Sequence, residues 1–269
     1  MATNAIAVTG STFGFLPVIS LWRREVVRFY RNLSRVVGIL ASPLLFWIVM
    51  GSGFGTSFRN NGANQHYLDF FFPGTLIMIV LFTSIFAMMS LIEDRNEGFL
   101  LSVLVAPVSR SVIVLGKILG GTTLAVMQGV LFLVAAPFLG IHFTAVSFLL
   151  ILLDIFLVSF SLTALGFIIA WPMDSTQGFH AIINLFLIPL WLLSGSLFPY
   201  ANASRWVQWV MRINPLSYGT YALRTLLFPA TAAPEFPIVL DLAVLAGFTV
   251  LMFFGAFAIA NRRTNKPAA

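Results

Sequence analysis

Cysteine is absent from this 269-residue chain, which excludes disulfides, thiol nucleophiles and thiolate metal centres. Charge is nearly as scarce. Asp, Glu, Lys and Arg together make up 9% of the residues, against about a quarter in a soluble domain. The three histidines, His66, His142 and His180, stand far apart and offer no paired metal-ligand spacing. A phosphate-cradling loop needs Ser or Thr directly after its Gly-Lys pair, and the sole such pair, Gly116-Lys117, is followed by Ile118. Nucleotide hydrolysis of that type is not encoded here. Internal repeats are also missing, so a single domain is expected. Residues 1–16 have no basic stretch ahead of an apolar core and read as a flexible N-terminal tail rather than a signal peptide.

What the chain has is apolar surface: 59% hydrophobic residues and 28 Phe, with a mean hydropathy of +0.97. That composition belongs in a bilayer. Crossing about 30 Å of hydrocarbon takes about 20 apolar residues. Six stretches qualify, near 36–57, 70–92, 112–138, 146–171, 179–198 and 237–260. Unpaired backbone groups are too costly in lipid, so each is expected to be a helix. The fold class is therefore all-α integral membrane, with six transmembrane helices over 36–260 and a tail over 261–269. Basic residues near span ends stay on the cytoplasmic side. With six spans both termini share one side, which carries Arg23, Arg24, Arg28, Arg31, Arg35, Arg95, Arg110, Lys117, Arg262, Arg263 and Lys266. The opposite side holds Arg59, Arg205, Arg212 and Arg224. Both termini and the connection over 93–111 are thus expected to be cytoplasmic. The net charge of +6 follows from this bias and from anionic lipid, without nucleic acid.

Residues 17–35 have the pattern of an amphipathic interfacial helix. Val18, Ile19, Trp22, Val26, Phe29, Tyr30 and Leu33 fall on one stripe, and Arg24, Arg28, Arg31 and Arg35 on the other. Such a helix lies in the headgroup plane with its arginines towards phosphates or a cytoplasmic partner. The charged insert between the second and third spans carries Glu93, Asp94, Arg95 and Glu97, then Gly98, then Phe99, Leu100, Val103 and Leu104 at helical spacing. A short amphipathic helix closed by Pro107 is expected, followed by a turn with Arg110. Lys117 is expected to reach back from the third span to the interface while its stem stays in lipid.

These residues resemble the ABC-2 type exporter permeases. The resemblance rests on Ile92 to Gly98, on Leu104-Val105-Ala106-Pro107-Val108-Ser109-Arg110 and on Gly116-Lys117. A second match runs from Pro189-Leu190-Trp191 through Ser194-Gly195-Ser196-Leu197-Phe198-Pro199 and Trp206 and Trp209 to Asn214-Pro215-Leu216-Ser217-Tyr218 and Arg224. The resemblance implies that the insert is a coupling helix seated on a separate cytoplasmic ABC ATPase, with Glu93, Asp94, Arg95, Glu97, Gly98, Leu104, Pro107 and Arg110 at the contact. The interfacial helix, with Trp22, Arg24, Arg28 and Arg31, would flank it. MgATP would belong to the partner, so no cofactor is expected on this chain. The implied assembly is a dimer with a second copy or a related permease, in a bacterial inner membrane among its lipids. It would export an amphipathic, lipid or glycan-type cargo.

Beyond Tyr200, the run with Trp206, Trp209, Val210 and Ile213 on one side, interrupted at Asn214-Pro215, is expected to form a re-entrant pair of short helices before span six. Phe46, Met50, Phe82, Phe86, Phe186 and Trp191 are candidates for the wall of the path. Asp154 is expected to make a structural hydrogen bond within the bundle, with contact to a substrate cation, or simple protonation in apolar surroundings, as the alternatives. Asp241 is placed at the outer interface, and Gln128 and Asn184 between helices. His180, Ser194 and Ser196 fall on one helix, too far apart along it for hydrolytic catalysis. The alternative function is an ion-coupled secondary transporter, for which core charges are few.

Overall fold

The computed structural model describes residues 15–31, 33–59, 67–105, 108–229 and 235–262, and among these it is all-helical. The chain runs through α1 (Phe15–Tyr30), α2 (Leu33–Arg59), α3 (Tyr67–Ala87), α4 (Met89–Asn96), α5 (Phe99–Val105), α6 (Arg110–Leu133), α7 (Ala145–Ala170), α8 (Thr176–Trp191), α9 (Arg205–Ile213), α10 (Pro215–Leu227) and α11 (Ile238–Asn261). Five stretches are long and apolar enough to cross a membrane: Tyr67–Asn96, Arg110–Leu139, Ala145–Ala170, Thr176–Ser196 and Ile238–Asn261. They coincide with the second to sixth expected spans. The first expected span falls on α2, whose described apolar stretch, Ala41–Gly53, is shorter.

The α3–α4 segment is the axis of the bundle, packed against α2, α6, α7 and α8. Phe71, Phe72, Leu76, Ile77, Val80, Leu81 and Ile85 are all buried. Helices of a bilayer protein gain little from expelling lipid, so they adhere through close backbone approach and dispersion. Gly121 of α6 shows the requirement: a Cβ there would stand 2.7 Å from Thr163 Cγ2 and 3.0 Å from Met88 Cε. Gln128 accepts a 2.7 Å bond from the Thr83 hydroxyl and joins α6 to α3 as expected. Asn184 instead faces away from the bundle.

Pro189 lies inside α8, which then passes into a π turn over Leu192–Ser196 where Gly195 adopts φ +77°. Such a break frees carbonyls that lipid cannot satisfy. The chain supplies donors from α10 and its cap. The Asn214 amide donates to Leu190 O at 2.6 Å and Leu193 O at 3.0 Å, and Arg224 donates to Gly195 O at 2.8 Å. Trp191 donates to Gly74 O at 2.8 Å, pinning the same turn to α3. Asn214 Oδ1 also caps α10 by accepting the Leu216 amide at 3.0 Å, with Pro215 at the first helical position.

Asn214→Ala removes the cap and the amide bonds to Leu190 O and Leu193 O, leaving Leu193 O only the long 3.5 Å bond from the Ser217 hydroxyl, so thermal unfolding of the purified chain should show a loss of about 1–3 kcal/mol. Asn214→Asp restores the cap acceptor but sets a carboxylate against those carbonyl oxygens, and should be at least as unstable.

Candidate functional site

The charged residues of the sequence converge at one end of the bundle, where α4 gives way to α5. α1 packs tightly on α6. A Cβ on Gly116 or Gly120 would stand 2.7 Å from the Cβ of Leu21 or Glu25. Further along, Trp22 donates to Thr123 Oγ1 at 2.9 Å and the Tyr30 hydroxyl meets Met127 Sδ at 3.3 Å. These contacts climb α6 in step, so α1 runs alongside it rather than lying flat across the bundle.

This packing carries Glu25 inside, and around it forms an ionic cluster. Lys117 Nζ is 2.7 Å from Glu25 Oε1, 2.5 Å from Asp94 Oδ2 and 3.0 Å from Ser90 Oγ. Ser90 donates to Glu25 Oε2 at 2.6 Å. Asp94 further accepts a forked pair from Arg24, at 2.8 and 2.6 Å, and a bond from Arg28 at 2.8 Å. Arg28 reaches on to half-buried Glu93 at 3.1 Å and to exposed Glu97 at 3.3 Å, which form the rim. The bond to Asp94 is the main reason the Arg24 guanidinium is held above its ordinary pKa. Arg24 also lies 3.7 Å over the Phe99 ring, which ties α1 to the first residue of α5.

Three expectations are corrected here. Asp94, expected at the contact with a partner, is 0% exposed and offers no surface to one. α3 ends at Ala87, Met88 keeps right-handed helical dihedrals, and α4 continues with Ser90, Leu91 and Asp94 buried. Arg24 and Arg28 point inward to carboxylates, whereas Arg31 is exposed. Lys117 does not reach for the interface: it is 1% exposed and neutralised by Glu25 and Asp94. Sequence reasoning missed Glu25 and Ser90. Their signal was the spacing of Ser90 and Asp94 one helical turn apart, and a lysine inside a span, which demands a carboxylate.

Arg95 turns the other way, donating to Trp171 O, to Met173 O at 2.5 Å and to Asp174 at 3.3 Å, so α4 is fastened to the α7–α8 turn. Gly98 has φ +77°, a conformation that suits glycine, and there the chain reverses into α5. α5 buries Leu100 and exposes Leu101, Leu104 and Val105, the last at 84%. Pro107 lies outside the described residues. Arg110 donates to Ala260 O at 3.0 Å and Arg262 O at 3.4 Å, linking the start of α6 to the end of α11.

The candidate path residues lie on α2, α3 and α8 and differ in exposure. Phe46 packs on Trp191, which is buried, at 5.8 Å between centroids. Phe82 and Phe86 stack at 5.6 Å. Met50 is half-buried and Phe186 is exposed on α8. His180 rests against Phe86 at 5.0 Å, while Ser194 bonds Trp191 O and Ser196. At the opposite end, α9 exposes Trp206, Trp209 and Ile213.

Residues 17–228 match the ABC-2 type transporter family. A protein named as a transport permease, ycf38 of Cyanophora paradoxa, is 30% identical over 199 residues, 73% of this chain and 68% of its own length. Nodulation protein J of Rhizobium meliloti is 27% identical over 249 residues, 91% and 93% of the two chains. The daunorubicin resistance ABC transporter permease protein DrrB1 of Streptomyces coeruleorubidus is 25% identical over 217 residues, 77% and 73%. A charged cluster at one end of an apolar helical bundle thus occurs in a chain that belongs to the ABC-2 type transporter family, as the non-catalytic membrane subunit of an ABC transporter.

Proposed function

We propose that this chain is the permease of an ATP-driven exporter and that α5 is the helix through which a separate cytoplasmic ATPase moves it. The observation that carries this reading is the mounting of α5. Its apolar side chains Leu101, Leu104 and Val105 are exposed, yet it springs from a corner joined by ion pairs to α1 and α6 and by Arg95 to the α7–α8 turn. An exposed apolar face on a rigid base is suited to receive a push without absorbing it. Glu93, Glu97 and Arg28 would set the polar rim of that contact. In this reading both termini and α5 face the cytoplasm, the membrane is a bacterial inner membrane, and two permeases, identical or related, enclose the path.

The cargo we assign is amphipathic, lipid or glycan-type. Supporting it are the aromatic half-buried faces at Phe46, Phe82 and Phe86 and the drug-resistance function in the name of one relative. Family membership favours ATP over an ion gradient as the source of drive.

Two outcomes test the proposal. Leu101→Glu with Val105→Glu alters exposed positions and should leave thermal stability within about 0.5 kcal/mol, while the ATPase subunit no longer co-purifies with the chain. Retention of the ATPase with normal export would refute the docking role. For the base of α5, Lys117→Met leaves Glu25 buried without its main counter-charge and should cost about 3–5 kcal/mol in thermal unfolding. Adding Glu25→Gln should recover most of that loss, because Asp94 keeps Arg24 and Arg28.

A further inference from the structure

At the end of the bundle opposite the ionic cluster, α9 presents three lengthwise faces. At about 100° per residue, Val207 and Met211 fall on one side, and both are buried with Tyr221 among Leu193, Phe198 and Tyr200. Arg205, Gln208 and Arg212 fall on a second side, where both arginines are exposed. Trp206, Trp209, Val210 and Ile213 share the third, an arc of about 100°. This apolar face is open: Trp206 is 67% exposed, Trp209 68% and Ile213 69%.

The rotation of α9 about its axis is fixed from both ends, so the exposure of that face is built in. Gln208 donates to Tyr200 O at 3.1 Å and to Ala203 O at 3.0 Å. The Tyr218 hydroxyl donates to Arg212 O at 2.7 Å, and the Arg212 guanidinium lies 5.6 Å from the centre of the Tyr200 ring. A helix held in this way, with tryptophans along one outward face and arginines along the next, has the pattern of one that lies along a membrane surface.

Charge decides between a lipid surface and a second copy of this chain as the cover for α9. Arg205 and Arg212 form no ion pair with any of the described residues. The sequence has nine acidic residues, and all nine are described. The fully exposed ones, Glu97 and Asp174, lie at the other end, with Arg28 and Arg95. Nearer α9, Asp69 and Glu235 are half-buried, and Asp154 and Asp241 are 0% exposed. Asp154 makes no hydrogen bond among the described residues, contrary to the expectation from sequence. A second copy thus offers the two arginines no exposed carboxylate, whereas an anionic lipid offers a phosphate that a guanidinium grips well.

We infer that α9 is a lipid-binding helix, with Trp206, Trp209, Val210 and Ile213 among the acyl chains and Arg205 and Arg212 on the phosphates of anionic phospholipids. The lipid held there is part of the surrounding bilayer and not cargo. The inference requires only that the bundle lies in a membrane, so it stands or falls apart from the docking role of α5.

Because the chain has no cysteine, Ile213→Cys takes a single fluorescent label on the apolar face and leaves both tryptophans in place. The full labelled chain is reconstituted in phosphatidylcholine vesicles that contain a fixed fraction of lipid brominated on its acyl chains, either phosphatidylcholine or phosphatidylglycerol. Both brominated lipids should quench the label. At low salt phosphatidylglycerol should quench as though enriched, by up to about fivefold for each arginine. High salt should remove that excess, and so should Arg205→Gln combined with Arg212→Gln. The salt series needs no change at the arginines, so it decides the matter even where the double variant misfolds. A label that neither lipid quenches places protein or water against α9 and overturns the inference. Equal quenching by the two lipids at low salt also overturns it, as does an excess that persists at high salt or in the folded double variant.

Discussion

A charge that enters an apolar bundle must be met by an opposite charge at hydrogen-bond distance, and the α5 end of this protein is organised by that constraint. Lys117 on α6, Asp94 on α4 and Glu25 on α1 come from three helices and neutralise one another. Each would be intolerable alone. Such a cluster is therefore weak evidence of net stability and strong evidence of register, since a small slide of α1 along α6 would separate several pairs at once. Arg24 extends the cluster by bonding Asp94 and covering Phe99, so the position of α5 is set by α1 as well as by its own chain neighbours.

The other end follows a related rule with backbone groups in place of charges. Pro189 and Gly195 break α8 inside the bundle, and Asn214 and Arg224 answer the exposed carbonyls. The run from Pro189 to Arg224 thus works as a single unit, a broken span together with the side chains that make the break tolerable. This gives a physical reason for those residue types at those places without reference to cargo.

Much of the architecture was legible in the sequence because hydrophobic runs of span length admit few alternatives. The second to sixth expected spans agree with the observed helices to within a few residues, and the positions of Gly98 and the Asn214-Pro215 break were also readable. The charged site was only half legible. Glu93 to Glu97 look like a loop when counted as charges. The partners that let Asp94 be buried come from α1, a segment more than 60 residues earlier. Asp241 was only partly legible as well. Its position in the first turn of α11 reads as a span end, and its burial by neighbouring helices does not show in the sequence.

Arg110 grips Ala260 O across a separation of 150 residues. During synthesis, α5 and the start of α6 emerge long before α11 exists to receive that bond. The corner that bears α5 therefore stays partly unfastened until the last helix is in place. The last helix to be made is thus the one that closes the start of α6.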